Sequence, residues 1–429
     1  MRTLLWPLCA LGAALACSAC RKEQDRDPPV VRILSPGDGV IVQTPDTLLI
    51  EVDVSDDTRL ESVTAALTND DGVPVGSSVS RALQGTSTRV TLALPVVDET
   101  YPGGPLTLTV RASDGNNDGR AFRQVDVLAA PLQRLAILLA PSPGTTGIVY
   151  RFDPTTGAEA WHGPVDIGPL LATGPNVFLA GTDQGPLQRR SFLGNWSTLA
   201  VNGTPASSGR PFFRGLGHAP FDDRVYAGMD DGRVVGYRRS GSQVFNGWSY
   251  PGTVSHALLP LADRVVSAAF DEVGNAWRLA EHAYVSGGTL GWRPLDHACI
   301  ALRSAGGERV LSFGNGNGAL AIRSIYMSQG GTISEANVPG TMLNDVTSTA
   351  TGDHFLATTN GIKRYRTSTG LTDLVGSGHV QSITFDDASG SLWALEDGQL
   401  KQVSPNDGTI LGTWIVPAGM GQVEVVLNR

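Results

Sequence analysis

Lysine is nearly absent from this chain. Three occur in 429 residues, Lys22, Lys363 and Lys401, and the formal charge is −9. Binding phosphates takes clustered cations, so nucleic acid and anionic lipid headgroups are poor partners. Cysteine is as sparse. Cys9, Cys17 and Cys20 crowd the first residues, and only Cys299 lies in the body, which excludes an internal disulfide. Cys299 sits in the apolar stretch 298–302, where a buried structural thiol is expected rather than a nucleophile. The apolar run at residues 4–16 holds 13 residues. That is short of the roughly 20 that span a bilayer. Chemistry-bearing spacings are missing too. The seven histidines form no His-x-His or His-x-x-x-His pair, so no metal-ligand spacing exists, and no Gly-x-Ser-x-Gly elbow occurs. Residues 314–318 read Gly-Asn-Gly-Asn-Gly without the Lys-Ser/Thr of a phosphate loop, which leaves a hairpin turn. No cofactor is implied.

What is present begins with the first residues. Arg2 supplies a positive start, residues 4–16 fit the apolar core of an export signal, and Cys17, Ser18 and Ala19 precede Cys20. This arrangement resembles the lipobox of bacterial lipoproteins. The resemblance implies a signal peptide of residues 1–19, cleavage before Cys20 and lipid on that cysteine. Cys17, preceded by Ala14, Leu15 and Ala16, is the alternative cleavage point. Residues 20–28 are charged and proline-terminated, as a solvated tether is. Arg21 follows the cysteine where an Asp holds enteric lipoproteins at the inner membrane. The resemblance therefore points to a lipid anchor in the outer membrane, facing the periplasm or the surface.

The rest is globular: 41% hydrophobic and 17% charged, with 52 glycines and 26 prolines. That balance favours many short strands and turns over helices, in two or three domains. The fold class is all-β. Residues 29–129 alternate apolar and polar in stretches such as 50–54, 60–67 and 106–112, about seven strands in all, which reads as a β-sandwich. The segments 52–57 and 110–116 resemble the immunoglobulin-like and cadherin-like modules of bacterial surface proteins. Asp56, Asp57, Asp114, Asn116 and Asp118 are either turn residues or oxygen ligands for Ca²⁺ at one pole.

Residues 130–429 repeat. Strand–Gly-turn–strand units start near 134, 176, 224, 264, 309, 354 and 391, the clearest at 224–237. Steps of roughly 40–50 residues with four strands each are the mark of a β-propeller. Seven copies predict seven blades, with six or eight as alternatives. The first copy lacks a preceding strand, and residues 421–427 resemble the strand before the last copy, so the C-terminal strand is predicted to close the ring. Residues 152–161 resemble blades of quinoprotein-like propellers, close to the WD40-like repeat type; this implies the fold and no cofactor.

His218 and His256 lie on the short strands before the third and fourth copies. Such strands line the channel of a propeller, which makes the two histidines candidate channel or ligand contacts. Trp196, Trp248, Trp292 and Trp414 fall late in their repeats; exposed ones would seat a partner or stack on sugars. The reading is a binding or scaffolding lipoprotein of the cell envelope for a protein or glycan, not an enzyme. It is similar in that respect to the propeller lipoprotein of the outer-membrane barrel-assembly machinery. The alternative is a propeller enzyme, a lactonase-like hydrolase or quinoprotein-like dehydrogenase, with a metal in the central channel.

Overall fold

A computed structural model describes residues 26–429 except 71, 100, 102, 182–185, 201–211, 220–223, 239–240 and 250–251. Cys20, the signal segment 1–19 and most of the tether lie outside the described residues. The chain divides into two compact units, one ending at Pro131 and the other running Leu132–Arg429. Among the described residues both are built from strands, with no α-helix.

The first unit is a β-sandwich of eight strands. Val30–Ser35, Asp46–Ser55 and Ser87–Val96 form one sheet. The other orders Val40–Gln43, Asp118–Leu128, Gly104–Ser113, Ser62–Thr68 and Pro74–Ala82. Val40–Gln43 runs parallel to Asp118–Leu128; the other pairs are antiparallel. Alternation puts Ile50, Val52 and Val54 of one sheet against Val63, Ala65, Leu108 and Val110 of the other, all fully buried. Each large side chain buried there contributes roughly 1.5–3 kcal/mol. Pro74–Ala82 is an edge strand, polar and mostly exposed, with no periodicity for a sequence reading to catch.

The acidic residues at the pole are spent on turns. Asp56 Oδ1 accepts the N–H groups of Thr58 and Arg59, at 2.9 and 2.8 Å. Asp114 Oδ1 accepts that of Asn117 at 2.6 Å, and Asp118 pairs with Arg111 at 2.7 Å. This is the turn role rather than a convergence of ligands on an ion.

The second unit holds seven four-stranded antiparallel sheets among the described residues, in the strand order of a β-propeller. Six sheets take four successive strands, of which the first is Leu170–Thr173, Phe213–Ala219, Thr253–Pro260, Ala298–Ser304, Leu343–Ser348 or Val380–Asp386. The remaining sheet, counted first here because it holds Arg134–Pro141, takes its innermost strand from the other end of the chain. Met420–Leu427 pairs antiparallel with Arg134–Pro141, Val423 opposite Leu139 and Val425 opposite Ile137. These four pack with Trp393 and Leu395 of the seventh sheet. Gln133 and Asn428 latch the ends: Gln133 N–H donates to Asn428 Oδ1 at 2.9 Å, and Asn428 N–H to the Gln133 carbonyl at 3.0 Å. Gln422 Nε2 donates to the Gly168 carbonyl at 3.0 Å, and its Oε1 accepts from Leu170 N–H, stitching the first sheet to the second.

Candidate functional site

The innermost strands of the seven sheets surround a central cavity of about 740 Å³. One local device recurs on its wall. In six of the seven innermost strands the register slips by one residue, leaving Arg214, His256, Ile300, Asn344, Gln381 and Gly421 without a cross-strand partner. A β-bulge re-aims the extra side chain and sharpens the local twist. All six line the cavity. Bulging thus supplies six equivalent positions, filled by a guanidinium, an imidazole, an isoleucine, two carboxamides and a glycine.

His218 and His256 both line this cavity. The structure puts them at different positions of their strands, His256 at the bulge and His218 four residues past the Arg214 bulge. The His256 ring packs on Trp277, centroids 4.9 Å apart. Burial, with Arg214 nearby, pushes its pKa down to about 4, so the imidazole is neutral at neutral pH. Arg214 is held by Asp230, Nη2 to Oδ1 2.6 Å. The close approach of these strands depends on Gly215, where a Cβ would collide with the His256 carbonyl oxygen.

Beyond the bulges lies a second group, absent from the sequence reading. Arg303 donates through Nε to Ser348 Oγ at 3.1 Å, Nη1 to the Leu302 carbonyl at 2.9 Å and Nη2 to the Val346 carbonyl at 2.6 Å. No carboxylate among the described residues lies within ion-pair distance of it. Asp345, on the neighbouring strand, is engaged by three donors: Oδ2 accepts from Ser382 Oγ at 2.7 Å and Ile383 N–H at 3.0 Å, Oδ1 from Val346 N–H at 2.8 Å. Glu424 faces the same cavity and accepts no hydrogen bond from the described residues. Its side chain touches cavity space yet is surrounded by protein. Burial, reinforced by Asp345 and opposed by Arg303, pushes its pKa up to about 8.

A second constellation went unnoticed in the sequence. Asp296 Oδ1 lies 2.8 Å from His297 Nδ1, and His297 Nε2 lies 2.8 Å from Ser312 Oγ. Ser312 is 0% exposed, and its hydroxyl donates to Cys299 Sγ at 3.3 Å. Burial pushes the Cys299 thiol up to about 12, which leaves it unreactive. Nothing from solvent reaches this serine or this thiol. Among the described residues no group of three His, Cys, Asp or Glu side chains is arranged to hold a metal ion.

The tryptophans divide. Trp414 packs on Trp393 and Phe152, and Trp196 stacks on His162 at 4.1 Å. Trp248 and Trp292, on the outermost strands of the third and fourth sheets, are 50% and 52% exposed.

No family model matches the chain, and no curated protein sequence matches it. Solved structures do. The RRP9 WD40 repeats align over 66% of this chain and 88% of theirs, at 9% identity and a TM-score of 0.49. A quinoprotein alcohol dehydrogenase-like protein from Bacteroides thetaiotaomicron aligns over 93% and 99%, at 11% identity and a TM-score of 0.48. A nidogen/laminin complex aligns over 68% and 99%, at 12% identity and a TM-score of 0.44.

Proposed function

We propose that this chain is a lipid-anchored cell-envelope protein whose propeller is a binding module for a protein partner. The observation that carries the reading is a set of exposed apolar side chains on outermost strands, with two tryptophans on adjoining ones. Trp248, Leu290, Trp292, Ile333, Ile410, Leu411 and Ile415 all lie on the outermost strands of their sheets. Those strands also present an unpaired backbone edge. Exposed apolar side chains gathered in one part of a fold, beside polar ones, mark interaction surfaces, and tryptophan is the commonest anchor of such contacts. The outermost strands of the third and fourth sheets adjoin, since Thr289 Oγ1 donates to the Trp248 carbonyl at 2.8 Å. A binder is favoured over an enzyme because the Asp296–His297–Ser312 set is sealed from solvent.

In chain order the sandwich stands between Cys20 and the propeller, the place of a spacer. Its strand order, three strands facing five with Val40–Gln43 parallel to Asp118–Leu128, supports an immunoglobulin-like reading of residues 29–129.

The test is affinity capture from native membranes with the full chain and with Trp248→Ala/Trp292→Ala. A co-purifying protein lost in the double variant, at unchanged melting temperature, supports the reading; identical captures refute it. Cys20→Ser should release the chain from membranes and abolish incorporation of labelled palmitate.

A further inference from the structure

We propose that the central cavity is a binding site for a small neutral saccharide, held between the Arg303 guanidinium on the fifth sheet and the Glu424 carboxyl on the first. This goes beyond the protein-binding reading of the outermost strands and shares no residue with it.

The argument starts from unspent hydrogen-bonding capacity. A guanidinium has five N–H donors, and Arg303 uses one on each of its three nitrogens, so two remain. Glu424 accepts nothing from the described residues. Gln381, at the bulge of the seventh sheet, has a buried Oε1 with no partner. Buried polar groups are normally satisfied and Gln381 Oε1 is not; with the spare donors of Arg303 and the Glu424 carboxyl on the same arc of one cavity, it points to a polar occupant. Arg303 and Glu424 carry opposite formal charges, yet neither pairs with the other within 4.0 Å. Both line the same cavity.

Charge selects the class of occupant. Arg214 is paired with Asp230, and Asp345 on the adjacent innermost strand favours the charged form of Arg303. Glu424 holds its proton at neutral pH. The cavity is therefore close to neutral, and an anion or cation entering it would leave an uncompensated charge in a partly desolvated space. A polyol fits: each hydroxyl both donates and accepts, serving an arginine, a carboxyl and a carboxamide alike. The wall formed by the second and third sheets, with Leu170 and Leu216, offers apolar surface to C–H faces. The volume of about 740 Å³ falls in the range of small-molecule sites.

Titration calorimetry on the full chain, with a panel of neutral mono- and disaccharides, tests this. Glycine and glucuronate serve as zwitterionic and anionic probes. At least one neutral sugar should bind. Glu424→Leu, which removes the donor and acceptor of the carboxyl at similar size, should weaken binding, and Arg303→Lys should weaken it by about tenfold. Trp248→Ala should leave it unchanged. Three results overturn the proposal: no heat from any sugar at millimolar concentration, binding of glucuronate or glycine alone, or sugar binding indifferent to both cavity variants. None of them bears on protein binding at the outermost strands.

Discussion

His297 Nε2 and Ser312 Oγ stand 2.8 Å apart, with the Asp296 carboxylate 2.8 Å behind the imidazole. The spacing is that of a nucleophilic triad, but the serine is sealed inside the fifth sheet. What the arrangement does is satisfy buried polar groups. Ser312→Ala deprives His297 Nε2 of its partner in a dry site and should cost about 1–3 kcal/mol. A fluorophosphonate probe should leave Ser312 unlabelled in the native protein. Labelling at neutral pH, traced to Ser312 by peptide mapping, would contradict the structural role.

Gly215 tests the inner wall. A methyl group there runs into the His256 carbonyl oxygen, a backbone atom that cannot swing aside. Gly215→Ala should destabilise the propeller by about 1–3 kcal/mol through forced displacement of the neighbouring strand. Thermal melting reads this directly. Gly291→Ala, with open space around it, is the control and should melt like the parent.

The seam between chain ends is the third test. Removing residues 420–429 exposes the inner edge of Arg134–Pro141 and strips Met420, Val423, Val425 and Val426 from the core. Four apolar side chains at roughly 1.5–3 kcal/mol each rival a domain's whole stability of about 5–15 kcal/mol. The truncated chain should be insoluble or melt far below the parent. Equal melting temperatures would mean the ring does not depend on this strand.

The fold was legible where burial is two-sided. The repeat starts near 224, 264 and 309 fall on Arg224–Met229, Arg264–Asp271 and Arg309–Gly316, the second strands of their sheets. These carry near-continuous apolar runs because both faces pack against neighbouring sheets. The innermost strands were fainter. Leu343–Ser348 reads Leu-Asn-Asp-Val-Thr-Ser because one of its faces lines a polar cavity. The candidate site was legible only at His218 and His256. Arg303 and Glu424 lie 121 positions apart in the sequence and come to line one cavity only through closure of the ring. The bulges leave no readable trace, since one extra residue shifts the alternation by one place within strands of only six to eight residues and changes no turn signal. Ser312 reaches His297 across a strand pair whose register slips between Cys299 and Ala301, which no local spacing encodes.

Stability should peak near neutrality, from two opposed titrations. His256, His282 and His354 are buried neutral, with pKa values pushed from 6.5 down to about 4, chiefly by burial. Between those values the unfolded chain binds protons that the native chain refuses, so stability is full above about pH 6.5 and is lost as pH falls toward 4. Glu424 acts in the opposite sense. Its native pKa stands at about 8 against an ordinary 4.5. The native state holds a proton that the unfolded chain releases, and stability falls as pH rises through that interval. Three histidines outweigh one glutamate below about pH 6.5; above it only the glutamate among these four still titrates. The melting temperature should therefore climb from about pH 5, peak near 6.5 and decline toward 8. Glu424→Gln should flatten the alkaline decline and leave the acid limb in place, whereas His256→Gln should shallow the acid limb alone. A decline from pH 6.5 to 8 that persists unchanged in Glu424→Gln would remove Glu424 as its source.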